Sequence, residues 1–277
     1  LLFLLFLVMY LLTVVGNLAI ISLVGAHRCL QPHTPMYFFL CNLSFLEIWF
    51  TTACVPKTLA TFAPRGGVIS LAGCATKYFV FSLGCTEYFL LAVMAYDRYL
   101  AICLPLRYGG IMRPGIAMRL ALGSWLCGFS AITVPATLIA RLSFCGSRVI
   151  NHFFCDISPW IVLSCTDTQV VELVSFGIAF CVILGSCGIT LVSYAKIPSA
   201  RGRHRAFSTC SSHLTVVLIW YGSTIFLHVR TSVESSLDLT KAITVLNTIV
   251  TPVLNPFIYT LRNKDVKEAL RRTVKGK

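Results

Sequence analysis

Residues 1–26 read LLFLLFLVMYLLTVVGNLAIISLVGA, and none of these side chains is charged. At about 1.5 Å of rise per residue, a helix of this length crosses the roughly 30 Å hydrocarbon layer of a bilayer. A secretory signal peptide would begin with a basic segment and carry a shorter apolar run. The stretch therefore predicts a membrane-spanning helix.

The composition of the whole chain agrees with this prediction. Of its 277 residues, 57% are hydrophobic and 12% are charged, and the mean hydropathy is +0.81. So much apolar surface cannot be buried in one soluble core and needs lipid as its solvent. The net charge of +13 does not indicate nucleic-acid binding, because the charges lie between long apolar stretches and not in basic patches with aromatic residues.

Apolar stretches of spanning length recur along the chain, each bounded by turn residues or charges. They cover about residues 1–26, 37–60, 74–103, 118–139, 170–195, 206–229 and 241–261. We therefore predict an all-α membrane protein, in which residues 1–277 form a single seven-transmembrane helix bundle.

An odd number of spans places the two termini on opposite sides of the membrane. Sixteen of the 23 Lys and Arg residues share one side, in the loops and tail 27–35, 98–119, 196–205 and 262–277. By the positive-inside rule that side is cytoplasmic and the N-terminus is extracellular. After the last span, Val266 and Leu270 stand four residues apart among basic residues, which predicts a short amphipathic helix over about 262–272 on the anionic inner leaflet.

An acid and an arginine, Asp97 and Arg98, lie at the inner end of the third span in the segment MAYDRYLAIC (94–103). A charge at this depth is unfavourable unless it is paired or solvated. Taken alone, the two residues are equally consistent with an ordinary ion pair that reaches toward the lipid headgroups.

Three further motifs accompany this pair. They are PHTPMYFFL (32–40) at the second span, RAFSTCSSHL (205–214) at the sixth and PVLNPFIY (252–259) at the seventh. In this order and at these depths, the four motifs resemble those of the odorant receptors, a branch of the rhodopsin-like G-protein-coupled receptors, over essentially the whole chain. The resemblance implies a plasma-membrane receptor that binds a small volatile odorant and activates a stimulatory G-protein, which raises cAMP.

The resemblance also assigns roles in activation. Arg98 would be held by Asp97 at rest and would meet the G-protein when the sixth helix moves outward. Pro256 removes a backbone donor and permits a kink in the seventh helix. The other residues that it places in coupling are Tyr99, Tyr194, Asn255 and Tyr259. For Tyr194 and Tyr259, anchoring at the membrane interface is an equally good interpretation.

Two acids, Glu47 and Glu87, lie deep in the second and third spans. Two carboxylates in a low dielectric do not both stay ionised without a cation, so the pair is a candidate sodium or proton site. The family usually has Asp where this chain has Glu47, which keeps the charge but alters the geometry. The alternative is a protonated acid that is hydrogen-bonded to Asn17, Ser44 or Asn255. We expect no other metal and no cofactor.

Thirteen cysteines are scattered along the chain, none of them as Cys-x-x-Cys, so they do not indicate a metal cluster. Cys145, Cys155 and Cys165 lie in the loop between the fourth and fifth spans, on the oxidising side, where disulfides persist. The sequence alone does not fix their pairing. The resemblance implies the disulfides Cys74–Cys155 and Cys145–Cys165, and free thiols are the alternative.

The outer half of the third helix lies at the depth of a ligand pocket, because Val80 to Cys85 stand roughly 20–27 Å outward of Arg98. The resemblance adds walls from other helices and makes Tyr221 the switch beneath the pocket. The candidate ligand-binding residues are Val80, Phe81, Gly84, Cys85, Ile178, Val182, Tyr221, Thr224, Ile225, His228, Val245 and Thr248. This mostly apolar lining with a few hydroxyls suits a small, weakly polar ligand. Amine receptors have aspartate at the position of Val80, so a biogenic amine is disfavoured, and for any single residue ordinary helix packing is the alternative.

The chain departs from the family pattern in three places. It has no segment with a glycosylation sequon before the first span, so we expect the N-terminus to be incomplete. After Tyr194 the family usually continues for about two more helical turns that contact G-protein, whereas here a basic loop follows at once. The interval from Cys74 to Glu87 is one residue shorter than usual, which rotates the residues before the gap by about 100°.

Other function classes fit less well. A proton-coupled transporter would use Glu47 and Glu87 as a relay, but the spans offer few further acids or histidines along a path. An enzyme would need a nucleophile with its base, or a metal cluster, and no such set lies at one depth. The remaining alternative is a receptor-like chain that cannot signal, because its fifth helix and N-terminus are short.

Overall fold

The computed structural model describes residues 2–26, 35–61, 73–74, 84–145, 160–161, 163–196, 216–219, 221–223, 250–262 and 266. Its longer helices, numbered in chain order, are α1 (Leu2–Ala26), α2 (Pro35–Thr61), α3 (Cys85–Cys103), α4 (Pro105–Ile111), α5 (Pro114–Ile139), α6 (Gln169–Ala195) and α7 (Thr251–Arg262). Residues 216–219 and 221–223 are also helical. Within this part of the chain, the only isolated strand-like pairing is one bridge between Phe144 and Ser164.

Four of these helices are long and apolar enough to cross a membrane, judged by length and composition. The spanning stretches are Phe3–Ala26, Pro35–Pro56, Pro114–Ile139 and Gln169–Ala195. Large apolar side chains such as Leu4, Leu122 and Leu191 stand more than half exposed on their outer faces. Soluble monomers rarely expose continuous apolar faces of this size, so lipid is the solvent for these helices.

The helices follow the predicted spans wherever the structure describes them. α1, α2, α5 and α6 agree with the first, second, fourth and fifth predicted spans to within four residues at each end. α3 covers the inner part of the third span and α7 the second half of the seventh. Residues 75–83 and most of the predicted sixth span lie outside the described residues. Of the predicted amphipathic helix, Val266 is helical and buried, and the segment's other side chains lie outside the description.

Prolines set the breaks between helices at the inner end of the bundle. Pro105 and Pro114 stand in the first turns of α4 and α5, where a missing N–H group leaves no hydrogen bond unmade. The residue before a proline avoids the helical conformation, and Leu104 accordingly adopts φ −130° and ψ 51°. The stretch that the sequence suggested was a loop therefore contains a short separate helix, α4, which packs against α3.

The helices share one apolar core. α1 packs against α2 and α7, and α3 packs against α5 and α6. The buried side chains of this core include Ile20, Phe39, Leu43, Leu91, Met94, Val216, Val217, Tyr221 and Val266. The described part of the predicted sixth span is thus in contact with the same core as α3 and α6.

Two glycines permit close contacts between helices. A Cβ atom on Gly16 of α1 would lie 3.0 Å from the Cβ atom of Pro256 in α7. A Cβ atom on Gly128 of α5 would lie 2.1 Å from Oγ1 of Thr86 in α3, and 2.9 Å from the Thr86 backbone N and Cα atoms. Small residues at such crossings let membrane helices approach closely. Gly128 therefore brings α5 directly against the backbone of α3.

A second apolar cluster joins the end of α5 to the start of α6. It consists of Cys74, Ile139, Trp160 and Val171, with Phe144 packed against it. The ring centroids of Phe144 and Trp160 lie 5.5 Å apart. This cluster caps the end of the bundle that is remote from α4.

Disulfides reinforce this cap. One joins Cys145 to Cys165, whose Cα atoms are 5.7 Å apart, and this is the pairing that the resemblance implies. The backbone N–H of Cys165 also donates to the Ser143 carbonyl at 2.9 Å. Cys74 is buried and disulfide-bonded, whereas Cys155 lies outside the described residues, so the Cys74–Cys155 pair stays a prediction.

Candidate functional site

A charged cluster lies at the end of α3 that adjoins α4. The Asp97 side chain is 0% exposed and the Arg98 side chain is 18% exposed. Nη2 and Nε of Arg98 donate to Oδ2 of Asp97 at 2.7 Å and 3.2 Å. Both N–H groups thus bind one carboxylate oxygen and leave Oδ1 free for another donor.

That donor is the hydroxyl of Tyr108 on α4, which lies 2.7 Å from Oδ1 of Asp97. The break at Leu104 starts a new helix, and Tyr108 follows in its first turn, so the break directs the ring toward α3. Burial raises the pKa of Tyr108 above its ordinary value, and the hydrogen bond to Asp97 and the charge of Asp97 raise it further. Tyr108 therefore stays protonated and remains a donor near neutral pH.

The other residues that the sequence places in activation lie on three helices. The ring centroid of Tyr99 is 6.4 Å from that of Tyr96, and Tyr194 is partly buried in the last turn of α6. Pro256 contacts α1 at Gly16. The side chain of Tyr259 lies outside the described residues, so its placement near Arg98 stays a prediction.

A polar cluster lies among α2, α3 and α7. Glu47 and Glu87 are both almost fully buried and close enough for their charges to repel. Nδ2 of Asn255 donates to Oε1 of Glu47. Oε1 of Glu87 and Oδ1 of Asn255 are buried acceptors without a donor among the described residues. Asn17, another expected neighbour, donates to the Thr13 carbonyl at 3.0 Å.

This cluster limits what kind of metal site is possible. In the described part of the chain, no group of three or more His, Cys, Asp or Glu side chains could hold a metal ion. A cation at Glu47 and Glu87 would therefore depend on carboxylate and amide oxygens, which are ligands of hard, weakly bound cations and not of transition metals.

Five of the candidate ligand-binding residues are described. Gly84 is buried at the start of α3 and Cys85 follows it, partly buried. Ile178 and Val182 are partly buried on α6, and Val182 packs against the central core. The remaining candidates, Val80, Phe81, Thr224, Ile225, His228, Val245 and Thr248, lie outside the described residues.

The fifth candidate, Tyr221, is almost fully buried, at 4% exposed. Its ring packs against Tyr88 of α3 with centroids 5.5 Å apart and planes at 59°. This tilted arrangement is a favourable geometry for two aromatic rings. The hydroxyl of Tyr221 faces the Ser186 and Thr190 hydroxyls of α6, so this side chain connects the sixth span to both α3 and α6.

Comparison with known proteins identifies the family. A family profile described as "Olfactory receptor" matches residues 6–277. Olfactory receptor 287 of Rattus norvegicus is 95% identical, in an alignment that covers 100% of this chain and 91% of that protein. The chain belongs to the olfactory receptor family. Olfactory receptor 6F1 of Homo sapiens, a second relative, is 68% identical over 100% of this chain and 92% of its own length.

Membership of the olfactory receptor family settles the general activity. Its members are G-protein-coupled receptors with a seven-transmembrane bundle, they bind odorants, and they are not enzymes. The predicted fold class and the predicted absence of enzymatic activity are therefore confirmed. This olfactory receptor is a multi-pass membrane protein, as its apolar helices indicate.

The alignments also report on the length of this olfactory receptor. Those with the rat and human relatives each run over 284 positions, seven more than the 277 residues of the chain. At least seven positions of the relatives thus have no counterpart inside the aligned region. Seven residues correspond to about two helical turns.

Replacing Tyr108 with phenylalanine is expected to raise ligand-independent G-protein activation of this receptor roughly threefold to tenfold. The change removes one of the two partners of the buried Asp97 carboxylate, and a hydrogen bond to a charged group contributes about 1.5–3 kcal/mol when it is well shielded from solvent. Basal signalling at matched surface expression measures the effect. Tyr96→Phe, which alters an exposed tyrosine on α3, is the matched control, and equal basal signals in the two variants would contradict this role of Tyr108.

Sequence reasoning did not single out Tyr108, Tyr88, Ser186 or Thr190. Pro105 was a usable signal for Tyr108, because a proline after the third span marks the start of a new helix and Tyr108 is in its first turn. Ser186 and Thr190 stand four residues apart and so share one face of α6. Their partner Tyr221 is on a different helix, and the sequence carries no signal for that contact.

Proposed function

We propose that this olfactory receptor binds small, volatile, mostly apolar odorants in a pocket in the outer half of the helix bundle and activates a stimulatory G-protein that raises cAMP. The arrangement at the end of α3 is the observation that carries the proposal. Arg98 is partly accessible and is held by the buried Asp97, which in turn is held by Tyr108. A charge restrained in this way is released when one of its partners moves, as a coupling switch requires.

An exposed leucine beside this switch supports a protein partner. Leu106, in the first turn of α4, is 100% exposed, and it stands two residues before Tyr108. A fully exposed leucine next to a restrained arginine offers the apolar anchor and the charge that protein interfaces use together. We propose that Leu106 and Arg98 both contact the G-protein.

The disulfide supports the proposed orientation, with the N-terminus extracellular and the C-terminus cytoplasmic in the plasma membrane. Cys145 and Cys165 are joined just beyond the end of α5, whereas Arg113 and Arg98 lie near its beginning. A helix of 26 residues is about 39 Å long, so the two ends lie on opposite sides of a bilayer. Disulfides persist on the oxidising side, which supports a cytoplasmic location for the Arg98 end.

A panel of odorants applied to the receptor, expressed with a stimulatory G-protein, tests this function. We expect a dose-dependent rise in cAMP for some apolar odorants and none for biogenic amines. Surface labelling must first show that the receptor reaches the plasma membrane. A surface-expressed receptor that gives no cAMP response with a stimulatory G-protein, yet responds through another G-protein, would contradict the proposed coupling and leave odorant binding intact.

We also propose a sodium ion between Glu47 and Glu87. The support is that Oε1 of Glu87 and Oδ1 of Asn255 are buried acceptors without a donor among the described residues. Buried acceptors are normally satisfied by a donor, a water molecule or a cation. The cation would balance two carboxylates that otherwise repel, and the competing proposal is a single proton shared by the pair.

Sodium is expected to raise the thermal unfolding temperature of the purified receptor by about 2–4 °C relative to choline at the same ionic strength. Glu87→Gln should remove this difference, because it deletes one carboxylate of the pair. Glu172→Gln, which alters an exposed carboxylate that Thr168 binds on α6, should retain it. An unfolding temperature that responds to pH but not to sodium would favour the shared proton.

A receptor that cannot signal is the second candidate function, and one observation favours it. α6 ends at Ala195, one residue after Tyr194, with the N–H of Lys196 donating to the Val192 carbonyl. The alignments leave at least seven positions of the relatives unmatched. Insertion of two helical turns after Tyr194 separates the candidates: a cAMP response that appears only after the insertion favours the second, and an equal response with and without it favours the first.

A further inference from the structure

The hydroxyl of Ser175, in the second turn of α6, is a buried polar group without a hydrogen-bond partner in the described part of the chain. The residue is 8% exposed. Other buried serines of α6 bond to their own backbone: Ser186 donates to the Val182 carbonyl at 2.6 Å, and Ser193 donates to the Ile189 carbonyl at 2.7 Å. A serine inside a helix ordinarily has such a carbonyl within reach, and the Ser175 hydroxyl does not bond to it.

A second unpartnered polar group, the indole N–H of Trp160, lies at the same end of the bundle. Trp160 is 2% exposed, and its Nε1 has no hydrogen-bond partner among the described residues. The ring belongs to the buried cluster that caps the bundle, together with Val171 of α6. Val171 precedes Ser175 by four residues, so these two lie on one face of the helix, about 6 Å apart along its axis. The cap and α6 thus each contribute one unpaired polar group.

Ser175 also lies on the face of α6 that carries two of the candidate ligand-binding residues. Ile178 and Val182 follow it by three and seven residues, which is the spacing of one helix face, and all three side chains are buried or partly buried. Leu173 and Phe176, on the other side of the helix, are more than half exposed. Ser175 therefore stands at the capped end of an inward, mostly apolar face, about 10 Å from Val182 along the axis.

The two unpaired groups suit a ligand with an oxygen that accepts two hydrogen bonds. An indole N–H can only donate, and a serine hydroxyl can donate as well as accept. A carbonyl oxygen has two lone pairs and accepts from both groups, whereas an alcohol brings a further hydrogen that needs its own acceptor, and an ammonium ion has no lone pair. Because a buried polar group without a partner is unfavourable, a carbonyl compound that pairs both groups gains affinity.

We propose that Ser175 and Trp160 bind the carbonyl oxygen of the odorant, and that its carbon chain lies along Ile178 and Val182. Ketones, aldehydes and esters are then the ligand class. The inference rests on the proposed odorant-binding function, because it assigns the polar end of that ligand, but it does not depend on G-protein coupling. The competing occupant is a water molecule, which satisfies buried polar groups in the same way.

Binding of methyl ketones to the purified receptor tests the ligand class. The probes are straight-chain methyl ketones of about six to ten carbon atoms, which match the roughly 10 Å between Ser175 and Val182, and the alkanes of equal length. The rise of the unfolding temperature with ligand concentration gives each Kd. Ser175→Ala should weaken ketone binding about threefold to tenfold, the usual effect of one hydrogen bond, and should leave the Kd of any alkane that binds unchanged.

Two further variants and one further measurement separate a ligand contact from a structural role. Trp160→Phe, which removes the indole N–H and keeps an aromatic ring, should weaken ketone binding by a similar factor. Ser193→Ala is the matched control and should bind ketones like the wild type, because Ser193 is buried on the same helix but donates to its own backbone. Without ligand, Ser175→Ala should unfold at the wild-type temperature or higher, since the hydroxyl that it removes has no partner there.

Three binding results would overturn the proposal. They are the absence of binding by any methyl ketone, an equal weakening of ketones and alkanes by Ser175→Ala, and ketone binding that Ser175→Ala does not change, which would leave water as the occupant. A lower unfolding temperature of unliganded Ser175→Ala would also overturn it, because the hydroxyl would then have a structural partner.

Measurement of cAMP keeps this inference distinct from the proposed function. Ketone binding that depends on Ser175, without any cAMP response, would overturn the proposed coupling and leave the inference standing. A cAMP response confined to odorants that lack a carbonyl group, and unchanged in Ser175→Ala, would overturn the inference and leave the proposed function standing.

Discussion

Replacing Arg98 with alanine is expected to abolish odorant-dependent cAMP production, with a loss of about a hundredfold or more, the size found for central arginines at protein interfaces. The guanidinium is partly exposed and restrained by Asp97 in the structure. It is always charged and offers several donors in a fixed plane, so no neighbouring side chain can replace it. The dose response to any active odorant, at matched surface expression, measures the effect.

Two further variants separate loss of coupling from loss of folding. Arg98→Ala leaves the buried Asp97 carboxylate with Tyr108 as its remaining partner in the cluster, and a buried charge without a counter-ion is strongly destabilising. The double variant Asp97→Asn with Arg98→Ala removes that charge and should restore surface expression without restoring the response. Arg113→Ala, which alters an exposed arginine that binds the Gly110 carbonyl, should respond within about twofold of the wild type. A normal response of Arg98→Ala would show that transmission does not pass through this residue.

In the described part of the chain, helices lie where long apolar stretches predict them, because a segment that crosses a membrane must be apolar along its sequence. A helix must be apolar for about 20 residues to cross the bilayer, and α1 and α6 each contain a stretch that is long and apolar enough. Their ends follow from charges and prolines that are visible in the sequence. The position of a span can therefore be predicted without knowing which other helices pack against it.

The contacts of the coupling site could not be predicted in the same way. Asp97 and Arg98 are adjacent in the sequence, which implies that they form an ion pair. The hydrogen bond from Tyr108 to Asp97 instead joins residues eleven positions apart, across the break between α3 and α4 at Leu104. The direction in which α4 leaves that break depends on how it packs against α3. This packing depends on contacts throughout the bundle, so a local sequence pattern does not predict it.

The same limit applies beneath the candidate pocket. Tyr221 is identified by its place in the sixth span, but Tyr88, Ser186 and Thr190 come from two other helices. In the sequence, nothing distinguishes these three residues from ordinary residues of a membrane-spanning helix. Only the crossing of α3, α6 and the sixth span brings them near Tyr221, so this proximity is found from the structure alone.

Replacing Gly128 with alanine is expected to destabilise the receptor by about 3 kcal/mol, at the upper end of what overpacking usually causes. The added Cβ atom would lie 2.1 Å from Oγ1 of Thr86, and also 2.9 Å from the Thr86 backbone N and Cα atoms. A side-chain oxygen can rotate away, but the backbone of α3 cannot move without separating α3 from α5. Thermal unfolding of the purified receptor and its surface expression measure the effect.

Gly123→Ala is the matched control, because Gly123 lies on the same helix and a Cβ atom there would meet nothing within 4 Å. In open space the same substitution is expected to stabilise a helix by about 0.5–1 kcal/mol, since alanine loses less conformational freedom than glycine. Adding Thr86→Ala to Gly128→Ala should recover part of the lost stability, as it removes the oxygen but not the backbone. Full recovery would show that the side chain alone sets the distance between the helices, and equal effects at Gly123 and Gly128 would show that α3 and α5 do not touch here. Thr86 precedes Glu87 and lies on α3, the helix that also carries Asp97 and Arg98. A forced separation of α3 from α5 at Gly128 therefore also displaces both polar clusters. The sodium response and the basal signal of Gly128→Ala should change together.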